Sequence, residues 1–351
     1  MSKGKIDDPG ASRSYIPYFD VLRIIAALAV VMIHVSAIEW KAAEVTSSDW
    51  MAANFFDSLA RFAVPVFVMI SGALFLGGRQ TTGQIWKRSI LRVTIAFAFW
   101  SAAYAVYHYI KWDDLGHALR ELVEGHYHLW YIPMLVGLYA LTPLFRKIVE
   151  SQSLTRYFLV LALVLGFVLP QLADTVSLFS KEWGQSVSQL LGDFHLSVGY
   201  VFYYILGYVL SQREIPKKAE RLIYLLGGIG LLITLAGTAV ASVYAGAAQL
   251  LFYEKFSVNV LLYSVALFVF AKEHFRFDLS ERAQRVLRRL SKCSFGVYLV
   301  HAMILEYSQE LTGTLFTPWL WIPLLTFAVF TVSYLISGLL NLIPAVRKYI
   351  V

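Results

Sequence analysis

The sequence has little charge. Of its 351 residues only 15% are Asp, Glu, Lys or Arg, whereas 58% are hydrophobic, and the mean hydropathy is +0.61. A soluble domain carries about 25% charged residues. The chain therefore has too few polar residues to cover the surface of a soluble globule.

Cysteine and the common catalytic motifs are scarce as well. Cys293 is the one cysteine, which excludes an intrachain disulfide. The sequence lacks a Walker-type phosphate loop, a Gly-x-Ser-x-Gly elbow and a His-x-x-x-His or Cys cluster, and His126 and His128 do not have helical-face spacing. We therefore expect no metal ion and no permanently bound cofactor.

Long apolar runs recur instead. They are continuous rather than alternating, which indicates helices and not a barrel, and a span needs roughly 20 such residues. The runs predict an all-α integral membrane protein, a bundle of about ten transmembrane helices, near residues 18–38, 55–76, 90–110, 128–145, 157–173, 194–211, 222–243, 256–271, 294–312 and 319–342.

The domain organisation that follows is simple. We expect one transmembrane domain over residues 18–345, between short cytoplasmic tails at 1–17 and 346–351. The first apolar run has no small-residue cleavage site behind it, so we expect it to remain as a span.

Basic residues are distributed unevenly between alternate loops. Of the 30 Lys and Arg residues, 23 fall in the two tails and every second loop, and five in the other loops. The positive-inside rule then places both termini in the cytoplasm. The net charge of +7 is thereby explained without nucleic acid as a partner. Two basic residues, Arg23 and Arg61, lie inside predicted spans.

The first span carries Asp20, Arg23 and His34. Ionisable residues inside a bilayer are costly and usually mark function. Arg23 and His34 point the same way on a helix, about 16 Å apart along its axis. The plainer alternatives are an interfacial Asp20–Arg23 ion pair and a His34 that is hydrogen-bonded between helices.

The second span contains Asp57, Arg61 and Pro65. Asp57 and Arg61 have the spacing of a helical ion pair. Pro65 has no N–H, so the Arg61 carbonyl loses its partner and a kink is predicted there. An Arg beside a freed carbonyl resembles a site, although a structural kink with an Arg that reaches the surface explains it too.

Further polar residues occur in the ninth and fourth spans. Tyr298 and His301 share one helix face, and Glu306 follows them toward the outer end. His128 and Trp130 open the fourth span at the outer surface. They could line an acceptor site, but a packing His and an interfacial His/Trp cluster are equally consistent with the pattern.

Five segments together resemble a known family. FDVLRIIAALAVVMIH (19–34) has an Arg and a His separated by ten residues, and RFAVPVFVMISG (61–72) has an Arg, a Pro and Ser-Gly. With HLWYIP (128–133), GYVFYYILGYVLS (199–211) and SFGVYLVH (294–301), they resemble the acyltransferase-3 family of membrane acyltransferases. The chain looks most like its single-domain bacterial members that acetylate surface polysaccharide, of the enterobacterial common antigen type.

The resemblance implies an activity and a location. It implies an acyl-CoA donor, most simply acetyl-CoA, a glycan or lipid-linked sugar acceptor, and the bacterial inner membrane. His34 would be the general base or a transient acyl carrier, Arg61 would stabilise developing charge, and Arg23 would bind the donor. Basic residues of the inner loops would hold the CoA phosphates, namely Lys87, Arg88, Arg285 and Arg288. Independently of the resemblance, the polar residues of the spans are our candidates for substrate binding, namely Asp20, Asp57, His128, Trp130, Tyr298, His301 and Glu306.

Two other function classes stay open at this stage. In a proton-coupled transporter, Arg23, Asp57, His34 and Glu306 would form a relay, although the spans lack paired Gly- or Pro-broken helices in matching halves. A non-catalytic sensor or assembly protein is the second. The sequence is silent on oligomeric state, so a homo-oligomer is open too.

Overall fold

A computed structural model describes residues 15–180, 194–275, 279–311 and 316–351. Every regular element in these ranges is a helix, which confirms the all-α prediction. Most of the predicted N-terminal tail, residues 1–14, lies outside the described residues.

The described residues form sixteen α-helices. The first half comprises α1 (Pro17–Ala42), α2 (Ser48–Ala60), α3 (Ala63–Leu76), α4 (Thr82–Gln84), α5 (Leu91–Trp112), α6 (Leu115–Glu124), α7 (Tyr131–Glu150), α8 (Gln152–Leu163) and α9 (Leu169–Phe179). The second comprises α10 (Phe194–Gln212), α11 (Lys217–Leu232), α12 (Thr238–Ala245), α13 (Val258–His274), α14 (Glu281–Leu311), α15 (Pro318–Leu340) and α16 (Pro344–Tyr349). Three π-helical segments join neighbouring helices, at Ile85–Ile90, Val164–Val168 and Ile233–Gly237.

Seven helical stretches of the described chain are long and apolar enough to cross a membrane. They are Pro17–Ala42, Ser48–Leu76, Thr82–Trp112, Tyr131–Glu150, Gln152–Phe179, Lys217–Ala245 and Pro318–Leu340. Each coincides with a predicted span. The other three predicted spans coincide with α10, α13 and α14.

The outer surface of the bundle is apolar. Val240 is 69% exposed and Leu335 62%, whereas Ser264, Thr326 and Ser333 are buried. A soluble helical protein has the opposite arrangement, because water would contact these side chains. The pattern suits a lipid-facing surface with polar groups turned inward.

The predicted kink in the second span is confirmed. Helix α2 ends at Ala60, and α3 begins at Ala63 with Pro65 in its first turn. Proline cannot donate to the carbonyl of Arg61, and the regular ladder resumes with the bond from Val66 N to Phe62 O, at 3.0 Å.

Glycines bring α3 and α10 into backbone contact. A Cβ on Gly72 would lie 1.7 Å from Tyr204 O, and one on Gly207 would lie 2.1 Å from Met69 O. Only glycine leaves room for such an approach, as is common between membrane helices. Gly72 and Gly207 therefore permit the close packing of these two helices.

Basic side chains cap helix ends on one side of the bundle, which we call the basic end. Arg146 donates to the carbonyl of Phe75, in the last turn of α3, and to those of Gly78 and Gln80, just beyond its end. Buried Lys272 donates to Leu210 and Arg213. Cations stabilise the negative C-terminal ends of helices.

The segment predicted as the C-terminal tail packs against α5. Arg92 donates to Val351 O at 2.7 Å, and the Trp100 indole donates to Ile350 O at 3.1 Å. Residues 350 and 351 therefore pack on the helix bundle.

Candidate active site

A cavity of about 580 Å³ runs through the bundle between α1, α3, α5, α7 and α14. At the basic end it is lined by cationic side chains, in its middle by aromatic and apolar side chains, and at the other end by His34 and His128. Both ends include residues of α1, because Arg23 and His34 lie on one face of that helix, as predicted.

Five cations line the cavity at its basic end: Arg23, Arg88, Arg92, Arg288 and Lys292. The pairs Arg88/Arg92 and Arg288/Lys292 are each four residues apart, so each pair lies on one helix face. Arg88 belongs to the π-helical segment Ile85–Ile90, a type of distortion frequent at functional sites.

Polar contacts hold Arg23 at this opening. Its Nη1 lies 3.0 Å from Asp20 Oδ1, and the Tyr15 hydroxyl donates to Asp20 Oδ2 at 2.7 Å. Burial and the adjacent Asp20 raise the pKa of Tyr15 above its ordinary value, so its hydroxyl stays protonated as that donor. The Arg288 guanidinium lies 4.2 Å from the Tyr15 ring centre.

The wall of the cavity between its two ends is mainly apolar. It includes Phe67, Leu74, Phe75, Leu135 and Phe295. Phe75 also stacks on Tyr139, with ring centroids 3.9 Å apart. A flexible chain would pass here and a hydrated phosphate would not, because apolar walls do not replace its hydrogen bonds.

Three histidine rings meet at the far end. The centroid of the His34 ring lies 5.1 Å from that of His301, and His301 lies 5.1 Å from His128. His34 also packs edge-on against Tyr127, at 5.3 Å. His34 is half-buried and lines the cavity, so its ring is available to a molecule inside it.

Hydrogen bonds to backbone carbonyls orient the His301 ring and anchor the backbone of His128. His301 Nδ1 donates to Tyr298 O at 2.7 Å, which leaves Nε2 as the lone-pair nitrogen of the neutral ring. The Tyr298 hydroxyl donates to His128 O at 2.7 Å and so ties the loop before α7 to α14. These bonds fix the surroundings of His34.

Arg61 and Asp57 form a separate buried pair. Arg61 Nη2 lies 2.5 Å from Asp57 Oδ2, and the guanidinium lies 4.1 Å from the centre of the Tyr253 ring. Neither residue lines the cavity. The catalytic role expected for Arg61 stays a prediction, and the pair has an evident structural role at the kink.

The other predicted residues divide into two groups. Asp20, His128, Trp130 and Tyr298 line the cavity with His34 and Arg23, as do Arg88 and Arg288. Lys87, Arg285, His301 and Glu306 are not among its lining residues. Arg285 lies 3.4 Å from Glu281 on the surface, and Glu306 contacts His108 and His126.

Several lining residues were not predicted as site residues. Arg92 and Lys292 were assigned to topology alone, although their four-residue spacing from Arg88 and Arg288 is a usable signal. Tyr131 and Tyr139 line the cavity as well. In the sequence these two tyrosines have the same pattern of neighbours as tyrosines that face lipid, so hydrophobic periodicity does not identify them as site residues.

Comparison with known proteins identifies the family. A family model described as an acyltransferase domain (Acyl_transf_3) matches residues 16–338. Comparison with curated proteins and with solved structures gave no significant match. The family match covers most of the chain, including the whole described wall of the cavity, and the chain therefore belongs to the acyltransferase-3 family of membrane acyltransferases.

Proposed function

We propose that this protein transfers an acetyl or longer acyl group from cytoplasmic acyl-CoA to a hydroxyl of a cell-surface or lipid-linked glycan. One observation carries the proposal: a single cavity joins five cationic side chains to His34. Acyltransferase activity follows from the family, and the donor and the acceptor class are inferred from the chemistry of the two cavity ends.

The basic end suits the charged part of CoA. Guanidinium groups bind phosphate through paired, charge-assisted hydrogen bonds. Arg88, Arg92 and Arg288 come from two different helices, so they surround a ligand instead of forming one surface stripe. Arg23 binds the donor close to this opening.

The length of the cavity suits the pantetheine arm. Arg23 and His34 are about 16 Å apart along α1. The pantetheine arm has as many chain bonds as four extended peptide residues, which span about 14 Å. A donor with its phosphates near Arg23 and Arg88 therefore brings its thioester to His34 through the apolar middle.

His34 supplies the base in the direct version of the reaction. Its ring nitrogen takes the proton of the acceptor hydroxyl as the oxygen attacks the thioester carbonyl. The tetrahedral intermediate then expels the CoA thiolate, which recovers the proton from His34. Arg61 is the predicted stabiliser of the oxyanion.

In the covalent version, His34 attacks the thioester itself. An acyl-imidazole forms as the CoA thiolate leaves with the ring proton, and the acceptor oxygen later takes the acyl group from the ring while the freed imidazole takes the hydroxyl proton. This version lets donor and acceptor bind at different times from opposite ends of the cavity. His128, Trp130, Tyr298 and His301 then shape the acceptor side.

The membrane arrangement is part of the proposal. All ten predicted spans cross the bacterial inner membrane, and both termini lie in the cytoplasm. The basic end then faces the cytoplasmic pool of acyl-CoA, and Trp130 lies toward the outer side, where the glycan is presented.

Labelled acetyl-CoA and a glycan acceptor test the proposal with protein in lipid nanodiscs. The wild type should release CoA and label the acceptor, His34→Ala should do neither, and His274→Ala, which changes an exposed histidine of α13, should behave as wild type. Rapid quenching followed by intact-mass measurement separates the two versions, because only the covalent one leaves an acyl group on the protein.

The same variants address transport as the alternative. Acceptor uptake into sealed vesicles without acyl transfer would favour a transporter. Folded wild-type protein that neither releases CoA nor labels any acceptor would contradict the acyltransferase proposal.

A further inference from the structure

A second polar cluster lies beside the His34 site, away from the basic end. His108 Nε2 is 2.9 Å from Glu306 Oε2, and His126 Nε2 is 2.9 Å from Glu306 Oε1. Both rings are nearly inaccessible, at 2% and 4% exposure. One ligand atom each of His108, His126 and Glu306 lies within 4.8 Å of the others.

The second nitrogen of each ring has its own partner. His108 Nδ1 lies 2.5 Å from Glu121 Oε2, and His126 Nδ1 lies 2.8 Å from His128 Nδ1. Histidine ligands of metal ions almost always donate their other N–H to a carboxylate or similar group, which fixes the ring. Glu121 is such a carboxylate for the Nδ1 of His108.

The position of His108 between two carboxylates also suits a metal ligand. The ring has a carboxylate at each nitrogen. With a metal ion, a neutral ring donates from Nδ1 to Glu121 and offers the Nε2 lone pair as a ligand.

The charge of the cluster points the same way. Glu121 and Glu306 are largely buried, and their ion-pair partners among the described residues are histidines, with no Lys or Arg. Buried carboxylates are normally paired or bind metals. A divalent cation would neutralise both.

The surrounding packing holds the ligands in place. The Tyr104 ring stacks on His126, with centroids 4.2 Å apart, and its hydroxyl donates to Leu299 O in α14. The His108 ring stacks on Trp112, at 4.1 Å. Rings that are already held by stacking and hydrogen bonds lose little freedom when they bind an ion.

We propose that His108, His126 and Glu306 bind a divalent transition metal ion, most suitably Zn²⁺, with Glu121 and His128 as supports. Two His and one Glu are the protein ligands of open zinc sites, in which the fourth position is free. Two ligands on tetrahedral Zn²⁺ lie about 3.3 Å apart, so the present 2.9 Å contacts open slightly on binding. The ion joins α5, α14 and the loop before α7, and holds His128 on the cavity wall.

Metal content tests the site without reference to acyl transfer. Protein purified through a tag without histidine, and without chelator, should contain about one Zn²⁺ per chain by mass spectrometry of the elements. After chelator treatment, Co²⁺ titration should produce the visible d–d absorption of a tetrahedral site.

Variants assign the ligands. His108→Ala and Glu306→Gln should lose the bound ion, and Glu121→Gln should weaken binding by about 10- to 100-fold, as second ligand-shell changes do. His274→Ala should keep the full metal content. Circular dichroism and gel filtration confirm that each variant is folded.

Two results would overturn the proposal. One is folded wild-type protein that holds no stoichiometric metal and gives no Co²⁺ absorption. The other is Glu306→Gln with an unchanged metal content, because a carboxamide is a poor ligand. Neither result bears on acyl transfer, so failure here is distinct from failure of the proposed function.

Discussion

The side chains at the two ends of the cavity differ in their exposure to water. At the basic end, Arg88 and Arg288 are exposed, with long side chains that water can reach. At the histidine end, His128 and His301 are buried and held by backbone contacts. Flexible charges suit recognition of a hydrated anion, and fixed rings in a dry environment suit chemistry. We therefore expect substitutions at the basic end to change acyl-CoA binding, and substitutions at the histidine end to change catalysis.

The largest effect is expected at the histidine end. His34→Gln keeps a polar side chain of similar reach but removes the base or nucleophile, so kcat should fall by about 1,000-fold while the KM for acyl-CoA changes little. Initial rates of CoA release measure both constants. An unchanged kcat would remove His34 from the chemistry and break the contrast between the ends.

Substitutions of the Asp57–Arg61 pair distinguish a structural role of Arg61 from a catalytic one. Arg61→Ala leaves the buried Asp57 carboxylate unpaired, which should cost about 3–5 kcal/mol of stability, measured by thermal unfolding in detergent. The double variant Asp57→Asn with Arg61→Gln should recover much of this. If the folded double variant also retains wild-type kcat, Arg61 has no role in stabilising the oxyanion.

Substitutions at the basic end should weaken acyl-CoA binding alone. Arg88→Ala with Arg288→Ala should raise the KM for acyl-CoA by about 10- to 100-fold, since hydrogen bonds to charged groups contribute about 1.5–3 kcal/mol each. Added salt should weaken the wild type more than the variant. Lys87→Ala with Arg285→Ala is the matched control, because neither residue lines the cavity.

An acyl-pantetheine donor sharpens the same test. It lacks the phosphates, so wild type and the Arg88/Arg288 variant should use it equally poorly. A variant that is defective with acyl-pantetheine as well would show damage beyond phosphate binding.

The smallest effect is expected from Tyr298→Phe. The substitution removes one hydrogen bond, to His128 O, and should cost about 1 kcal/mol. We expect a loss of several-fold in kcat with no change in the KM for acyl-CoA. A change in that KM instead would link the two ends of the cavity more tightly than the geometry indicates.

Much of the fold was predictable because hydropathy reports local environment. The apolar runs placed the helices, Pro65 placed the break between α2 and α3, and helical spacing aligned Arg23 with His34. Helix α14 begins at Glu281 instead of near 294, since its first turns are amphipathic and carry no continuous apolar run. Helix α6 was missed for the same reason.

The polar cluster around Glu306 could not be predicted in this way. His108, Glu121, His126 and Glu306 come from four segments of the chain, and no two have the spacing of a metal motif. The expectation of no metal ion rested on local spacing alone. Tertiary packing brings these residues together, and a single sequence contains no direct record of it.

The glycine contacts between α3 and α10 have a mechanical consequence. Backbone atoms touch at Gly72 and Gly207, so neither helix can slide or rotate past the other without a steric clash. Ser71, next to Gly72, lines the cavity. We therefore expect the wall formed by α3 to stay fixed. An acceptor as bulky as a glycan must then be admitted by movement of the opposite walls, on α1, α7 and α14, and a covalent link between α3 and α10 should leave turnover intact.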